Sequence, residues 1–234
     1  MRGTKIAQIL KEQDSLDEAG GKRILGGIIA IILGLLTLYF TESGLIGFGL
    51  IVVGIIVVQQ GNAFWKGADG ENMVTNLLEN LPYNWSVLND MVVGSSQIDH
   101  IVVCPKGVYT IETKNYRGTI YGNAEKKEWM QVFPNGSKYD FYNPVKQGNK
   151  HSLELSRYLE SNGLKTWVNT VVVFPSDEVE LKVYSPKTQV LYLKDVAAYF
   201  MNQKDSIDQN TCDDIVKCIQ NLNPAEYENV GYNN

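Results

Sequence analysis

Between Arg23 and Lys66 the chain carries a single charged side chain, Glu42. Ile24 to Phe40 is uncharged and almost wholly apolar. After Thr41, Glu42 and Ser43 a second uncharged stretch runs from Gly44 to Ala63. Each is close to the roughly 20 residues that cross the hydrocarbon core of a bilayer. Two such runs with so short a connection read as a transmembrane helical hairpin over residues 23–63. A pair of buried core helices is the weaker alternative for so long a run with one charge. A removable signal peptide fits poorly, because Asp14, Asp17 and Glu18 precede the first run and no clean small-residue cleavage site follows it.

Lys22 and Arg23 flank the pair on one side and Lys66 on the other, whereas the connection holds only Glu42. The excess of positive charge places both termini in the cytoplasm and the turn outside. Tyr39, Phe40, Phe64 and Trp65 suit the interfaces. Gly26, Ala30 and Gly34 recur every four residues, and Gly47, Gly54 and Gly61 every seven, so each set marks a face where helix backbones can approach closely. Packing within the hairpin is the first expectation, and homo-oligomerisation through these faces is the second. Residues 1–22 read as a polar, partly helical tail.

The second constraining feature is Gln97 to Tyr116, two strands joined by a Pro105-Lys106-Gly107 turn. Ile98, Ile101, Val102, Val103, Val108 and Ile111 make both strands apolar on much of both faces, the pattern of a sheet covered on each side. Asp99 stands on the first strand, and Glu112 and Lys114 on the second. Alternation sends Glu112 and Lys114 the same way. If Asp99 shares that face, two acids and a cation converge. Two carboxylates offer hard oxygen ligands to a divalent ion, and a neighbouring lysine can orient a water. The bland alternative is a set of solvent-facing polar residues. Charge within strands this apolar is costly without a partner, which favours mutual pairing or a shared ion. His100 follows Asp99, points to the opposite face, and reads as structural.

Gly67 to Glu71 precedes the periodic apolar positions Met73, Val74, Leu77, Leu78 and Leu81, so a helix is expected to open near Gly70 and to end by Pro82. A first-turn acid favoured by the helix dipole would by itself account for Glu71. Trp85 to Val93 reads as a strand. Gly118 to Tyr121 and Glu128 to Phe133 read as a further pair, with Pro134 to Gly136 as a turn. Pro144 opens a helix through about Ser161, on which Gln147, Lys150 and Glu154 share a side. Trp167 to Phe174 and Gln189 to Leu193 are strands, Lys194 to Met201 and Asp208 to Leu222 closing helices, and 223–234 a flexible tail.

The chain of 234 residues allows one compact domain, here 65–222, besides the hairpin. Its net charge of −5 argues against a non-specific nucleic-acid coat protein. A local cluster such as Lys114, Arg117, Lys126 and Lys127 remains compatible with phosphate contact, although Lys126 and Lys127 also read as a solvated turn. Three cysteines without metal-ligand spacing (Cys104, Cys212, Cys218) and two histidines (His100, His151) fit a reducing compartment and argue against a histidine-rich zinc site.

The blocks Gly70-Glu71, Ile98 to Val103, Gly107 to Tyr109, Ile111 to Tyr116, Gly118, Trp129 and Asn143-Pro144-Val145 with Gln147 occur in the order found in the NERD (nuclease-related) domain, which residues 66–175 resemble. The resemblance implies an α/β, restriction-endonuclease-like fold of the PD-(D/E)xK type, a mixed sheet flanked by helices, akin to Holliday-junction resolvases. It maps Glu71 onto the family's acidic helix position, Asp99, Glu112 and Lys114 onto its D…ExK set, and Gln147 onto the glutamine of the following helix. It implies Mg²⁺ or Mn²⁺ held by Asp99, Glu112 and the Thr113 carbonyl, with Glu71 as a further ligand. Lys114 would position and deprotonate the attacking water, and Gln147 would contact phosphate. The expectation is a two-pass membrane protein whose cytoplasmic domain hydrolyses phosphodiester bonds of nucleic acid, DNA in the first instance. A membrane-tethered nucleic-acid-binding or scaffold module that keeps the fold without turnover is the alternative.

Overall fold

The computed structural model describes residues 2–40, 44–82 and 84–222. Thr41 to Ser43, where the external turn was placed, and the 223–234 tail lie outside them. Two compact units, 1–69 and 70–234, are taken in turn.

In the first, α1 (Arg2–Phe40) is one helix, so the expected polar tail continues without a break into the apolar run. The helix α2 (Gly44–Glu79) follows. Gly21–Phe40 and α2 are long and apolar enough to cross a membrane. Their large side chains are mostly unburied: Leu25, Ile32, Phe48 and Val53 are at least half exposed. A soluble protein would hide such residues, whereas lipid covers them at no cost. The two helices meet at a glycine seam that differs from the one expected. A Cβ on Gly27 would stand 2.7 Å from the Gly54 carbonyl oxygen, and one on Gly34 2.7 Å from that of Gly47. Gly26, in contrast, faces open space. Gly27 and Gly34 are seven apart, like Gly47 and Gly54, so two turns of each helix return the same backbone to contact.

In the second unit, β1 (Ser86–Val93), β2 (Ser96–Cys104), β3 (Gly107–Thr113), β7 (Val168–Phe174) and β9 (Gln189–Tyr192) form one sheet in the order β1-β2-β3-β7-β9. The first two pairings are antiparallel and the last two parallel, so the sheet is mixed as expected. The further pair expected from the sequence, β4 (Gly118–Asn123) and β5 (Glu128–Val132), belongs to a separate second sheet of order β6-β5-β4-β8, completed by β6 (Lys138–Tyr142) and β8 (Val179–Tyr184). Strands β6 and β8 escaped because they are edge strands with polar residues on an exposed face.

Helices cover both faces of the main sheet, which is why β3 is buried along its whole length and β2 is apolar on both faces from Ile101 to Cys104. On one side, α3 (Pro144–Ser161) and α5 (Gln209–Gln220) pack Leu155, Leu159, Ile215 and Ile219 against Ile101, Val103 and Val108. On the other, the end of α2 and α4 (Leu193–Met201) pack Val74, Leu78, Val196 and Phe200 against Val102, Ile111 and Val171. Ile120 and Trp129 join the second sheet to Val172 and Phe174 of the first.

The helix expected to open near Gly70 does not. α2 runs unbroken through Gly67 and Gly70, so Glu71 lies mid-helix and has no dipole role. A glycine costs a helix only about 1 kcal/mol and need not end it. Gly70 serves packing instead: a Cβ there would come within 2.5 Å of the Asn115 Cβ.

Candidate active site at the open end of the β2–β3 hairpin

Strands β2 and β3 pair in register from Cys104↔Gly107 to His100↔Ile111. One step further sets Asp99 across from Glu112. Ile101, Val103 and Val108 belong to the cluster under α3 and α5, so alternation turns Asp99, Thr110 and Glu112 to that same face. His100 turns to the other face, where its Nε2 lies 2.9 Å from Thr75 Oγ1 of α2. Its imidazole is driven down to a pKa of about 4, chiefly by burial, and is therefore neutral at pH 7.

Glu112 is only 1 % exposed. Its Oε1 accepts from Lys114 Nζ at 2.6 Å. Its Oε2 has no hydrogen-bond donor, although His151 Nδ1 stands 3.2 Å away within ion-pairing range. Asp99 Oδ2 accepts from the Thr113 backbone N–H at 2.8 Å. Thr113 thus touches Asp99 through its amide. Gln147 sits half-buried on α3, one turn before His151 and on its side.

The charges couple. Burial, then the Glu112 and Glu71 carboxylates, raise the Asp99 pKa well above the aspartate range, against the Thr113 N–H and Lys114. Glu71, which lies beyond the apolar run, is raised to about 7 by burial first and then by Asp90, with Lys114 opposing and Glu112 adding. Burial works against the charge on Lys114, but Glu112 and Asp99 outweigh it and hold its pKa above that of ordinary lysine. Glu71, Asp99, Glu112 and Lys114 thus feel one another. Among the described residues, however, no three His, Cys, Asp or Glu side chains are arranged to hold an ion directly.

Sequence reasoning missed three contributors: His151, the fastening of α3 over the site, and Asp90. His151 faces Glu112 from α3. Its spacing of four from Gln147 was the available signal. Gly148 lets α3 press down on the site, since a Cβ there would meet Thr170 Cγ2 at 2.5 Å and Glu112 Cβ at 3.6 Å. A buried hydroxyl chain, Thr110–Ser152–Thr170 with both contacts at 2.6 Å, fastens the same turn of α3 to β3 and β7. The third is Asp90. The register Asn89↔His100 and Met91↔Ile98 skips it and sets it opposite Asp99. It adopts φ 51 and accepts from the Gln97 side chain. Positive φ in a non-glycine strand residue is uncommon, and Asp tolerates it better than most.

The N-terminus of α3 is fixed by Asn143, whose Oδ1 accepts from the N–H groups of Val145 (2.9 Å) and Lys146 (3.4 Å). Its amide donates to the carbonyls of Asn123, Ala124 and Lys126. This accounts for Asn143-Pro144-Val145: a cap, a residue suited to the first helical turn, and a core contact. Glu154, one turn beyond Lys150, bonds Ser95 in the β1–β2 turn and so is structural.

Among solved structures, SfsA of Pyrococcus furiosus in complex with Ca²⁺ aligns with a TM-score of 0.24 at 17 % identity, over 66 % of this chain and 53 % of that one, too slight a likeness to build on. An uncharacterized protein of Bacillus anthracis is 32 % identical over 162 residues, covering 64 % of this chain and 74 % of the relative. The model of the nuclease-related domain matches residues 66–175, which run from the end of α2 to the end of β7 and contain Glu71, Asp99, Glu112, Lys114 and His151. The chain belongs to the nuclease-related domain (NERD) family.

Proposed function

We propose that this chain is a membrane-anchored, metal-dependent nuclease whose folded domain faces the cytoplasm. The observation that carries the reading is Glu112: a carboxylate 1 % exposed, paired with Lys114 through one oxygen and without a hydrogen bond at the other, beside the half-buried Asp99. An unsatisfied buried carboxylate oxygen is costly. A divalent cation would relieve it, and would offset the burial and the neighbouring negative charge that raise Asp99 and Glu71. Hard oxygen donors of this kind suit Mg²⁺ or Mn²⁺, with Asp99, Glu112 and the Thr113 carbonyl as holders and Glu71 as a further ligand. Bound there, the ion supplies Lewis-acid withdrawal of charge from the phosphoryl oxygens.

The remaining chemistry is divided by charge state. Lys114, held as an ammonium by Glu112, donates: it orients the attacking water and offsets negative charge on phosphate. It is a poor base, which revises the expectation that it deprotonates the water. The water oxygen bonds to phosphorus as its proton passes to solvent, and the ester P–O bond breaks as the leaving oxygen takes a proton from solvent. Gln147 contacts phosphate, and His151 holds the Glu112 carboxylate from above.

The test uses full-length protein in detergent with end-labelled DNA and RNA. Cleavage should require Mg²⁺ or Mn²⁺. Lys114→Ala should abolish it while calorimetry still detects the ion, and Asp99→Ala should lose both. Unchanged turnover in Lys114→Ala refutes the role assignment, and absence of cleavage on every nucleic acid refutes the enzyme. The positive flanks at Lys22, Arg23 and Lys66 support cytoplasmic termini. In intact cells an impermeant thiol reagent should label Ser43→Cys and spare Gly67→Cys, and the reverse pattern would overturn the orientation.

A further inference from the structure

The inner face of the second sheet continues past the core. Trp129 and Phe141 are paired across β5 and β6 and lie in or against the cluster that joins the two sheets. The next pair on that face, Gln131 and Tyr139, is still in register, and Phe133 lies one step beyond. With Tyr116 and Arg117 these residues line an open cleft of about 540 Å³, inside the range of roughly 300–1,000 Å³ typical of small-ligand sites. The cleft begins two residues after Lys114, where β3 has ended. The Gln131 amide donates to the Arg117 carbonyl at 2.8 Å and ties that segment to β5.

Four aromatic rings and a guanidinium share the lining with the polar Gln131, Asn135, Ser137 and Asp140. The Arg117 guanidinium stands 5.7 Å from the centre of the Phe133 ring. Phe133 meets Tyr139 edge to face at 5.6 Å, and Tyr116 meets Phe141 in the same way at 4.8 Å. Tyr139 is 61 % exposed, so core packing does not explain a large aromatic side chain there. Asp140 adds an acceptor. Aromatic rings beside a guanidinium are what an unpaired base and its phosphate need. The base stacks, every base has a face to offer, and the cation takes the phosphate. A base inside a duplex offers no free face.

We propose that this cleft binds an unpaired nucleotide of a single-stranded nucleic acid, so that the substrate of the adjoining site is single-stranded or carries a single-stranded end. The inference rests on the nuclease reading for its meaning, but its test does not depend on turnover. Full-length protein in detergent, with EDTA present, is titrated into fluorescein-labelled oligothymidylate, oligouridylate and a mixed-sequence duplex, and anisotropy is read. The wild type should bind single strands in preference to the duplex. Tyr139→Ala and Arg117→Gln should each weaken single-strand binding by about tenfold. Tyr184→Ala, which removes an equally exposed tyrosine that does not line the cleft, should change nothing. The two homopolymers separate DNA from RNA as the source of the strand. Equal affinity for duplex, or full affinity in both cleft variants, overturns the proposal. Failure of the nuclease reading looks different: single strands bind through Tyr139 and Arg117, yet no divalent ion elicits cleavage. Conversely, Glu112-dependent cleavage with a cleft indifferent to single strands defeats this inference alone.

Discussion

The two ends of the β2–β3 hairpin are built to opposite specifications. At the turn, polar groups are met several times over. The Pro105 carbonyl accepts from the N–H groups of Ser206 (2.7 Å) and Ile207 (3.1 Å), and the Lys106 carbonyl accepts from Tyr109 (3.0 Å) and Ser206 (2.9 Å) hydroxyls. At the open end, Asn89 Oδ1, Glu112 Oε2 and Thr113 Oγ1 are buried oxygens without a hydrogen bond. There burial first, and neighbouring carboxylates next, raise the pKa values of Asp99 and Glu71. Buried polar groups are nearly always satisfied, so a cluster of exceptions calls for a cause. One end fixes the register, and the other, in the function we propose, holds acids in place for a divalent ion. Substitutions at the open end should therefore be read in chemistry, and those at the turn in stability.

The largest effect is expected at Glu112. Glu112→Gln keeps the shape and the Lys114 contact but removes the charge, and should lower metal-dependent cleavage on the order of a thousandfold. A gel assay on labelled DNA reads this directly. Retained activity would show that the unsatisfied oxygen is incidental and would dissolve the contrast between the two ends.

Next comes the turn. Gly107 has φ 130, in a region that side chains rarely adopt, and a Cβ there would stand 3.2 Å from Ser206 Oγ. Gly107→Ala should cost about 1–3 kcal/mol by denaturant titration. Cleavage per folded molecule should not change. A loss of activity beyond the folded fraction would mean that the turn and the site are mechanically one.

How much of this was legible in the sequence follows the same division. The hairpin showed because its strands are buried on both faces, so period-two alternation was replaced by solid Ile and Val punctuated by Pro105 and Gly107. Asn143-Pro144 marked the start of α3 because a cap and a first-turn proline are local devices. Glu71 was misplaced within its helix because glycine is an ambiguous signal: Gly67 and Gly70 read as a boundary, whereas Gly70 is there so that Asn115 can approach. Asp90 was invisible, and His151 showed only through its spacing of four from Gln147, because their roles come from contacts across the fold, β1 beside β2 and α3 onto β3. The second sheet was half seen because β6 and β8 alternate weakly at an exposed edge. The glycine seam was off by one residue because Gly26 and Gly27 are adjacent, and only the partner helix decides which one faces it.

A smaller effect separates the open end by pH. The Glu71 carboxyl has its folded-state pKa raised from 4.5 to about 7, by burial first and by Asp90 next. A raised carboxyl pKa means that the folded chain binds this proton more tightly than the unfolded one. Its contribution to stability is therefore full below about pH 4.5 and is lost as pH rises through about 7. Glu71→Gln removes that dependence. Relative to wild type, the variant should melt higher at pH 8 than at pH 5, followed by tryptophan fluorescence of the full-length protein. Parallel pH curves for the two proteins would show that Glu71 is not held against its charge.

The smallest effect is expected at the outer edge of the turn. Lys106 Nζ lies 3.0 Å from Asp205 Oδ1, the shortest kind of ion pair, and geometry alone would rank it with Lys114–Glu112. Solvent decides otherwise. The Asp205 side chain is 72 % exposed, whereas that of Glu112 is 1 % exposed. Water and salt screen the first pair, and holding two long side chains together costs entropy, so exposed pairs contribute only about 0–1 kcal/mol. The turn also keeps its backbone hydrogen bonds, which run through the Pro105 and Lys106 carbonyls and not through the ammonium group. Lys106→Ala should thus leave both stability and cleavage within error of wild type, and adding salt should erase any residual difference. If it instead costs as much as Gly107→Ala, the register is held by charge rather than by backbone geometry, and the turn is no more self-sufficient than the end that carries the acids.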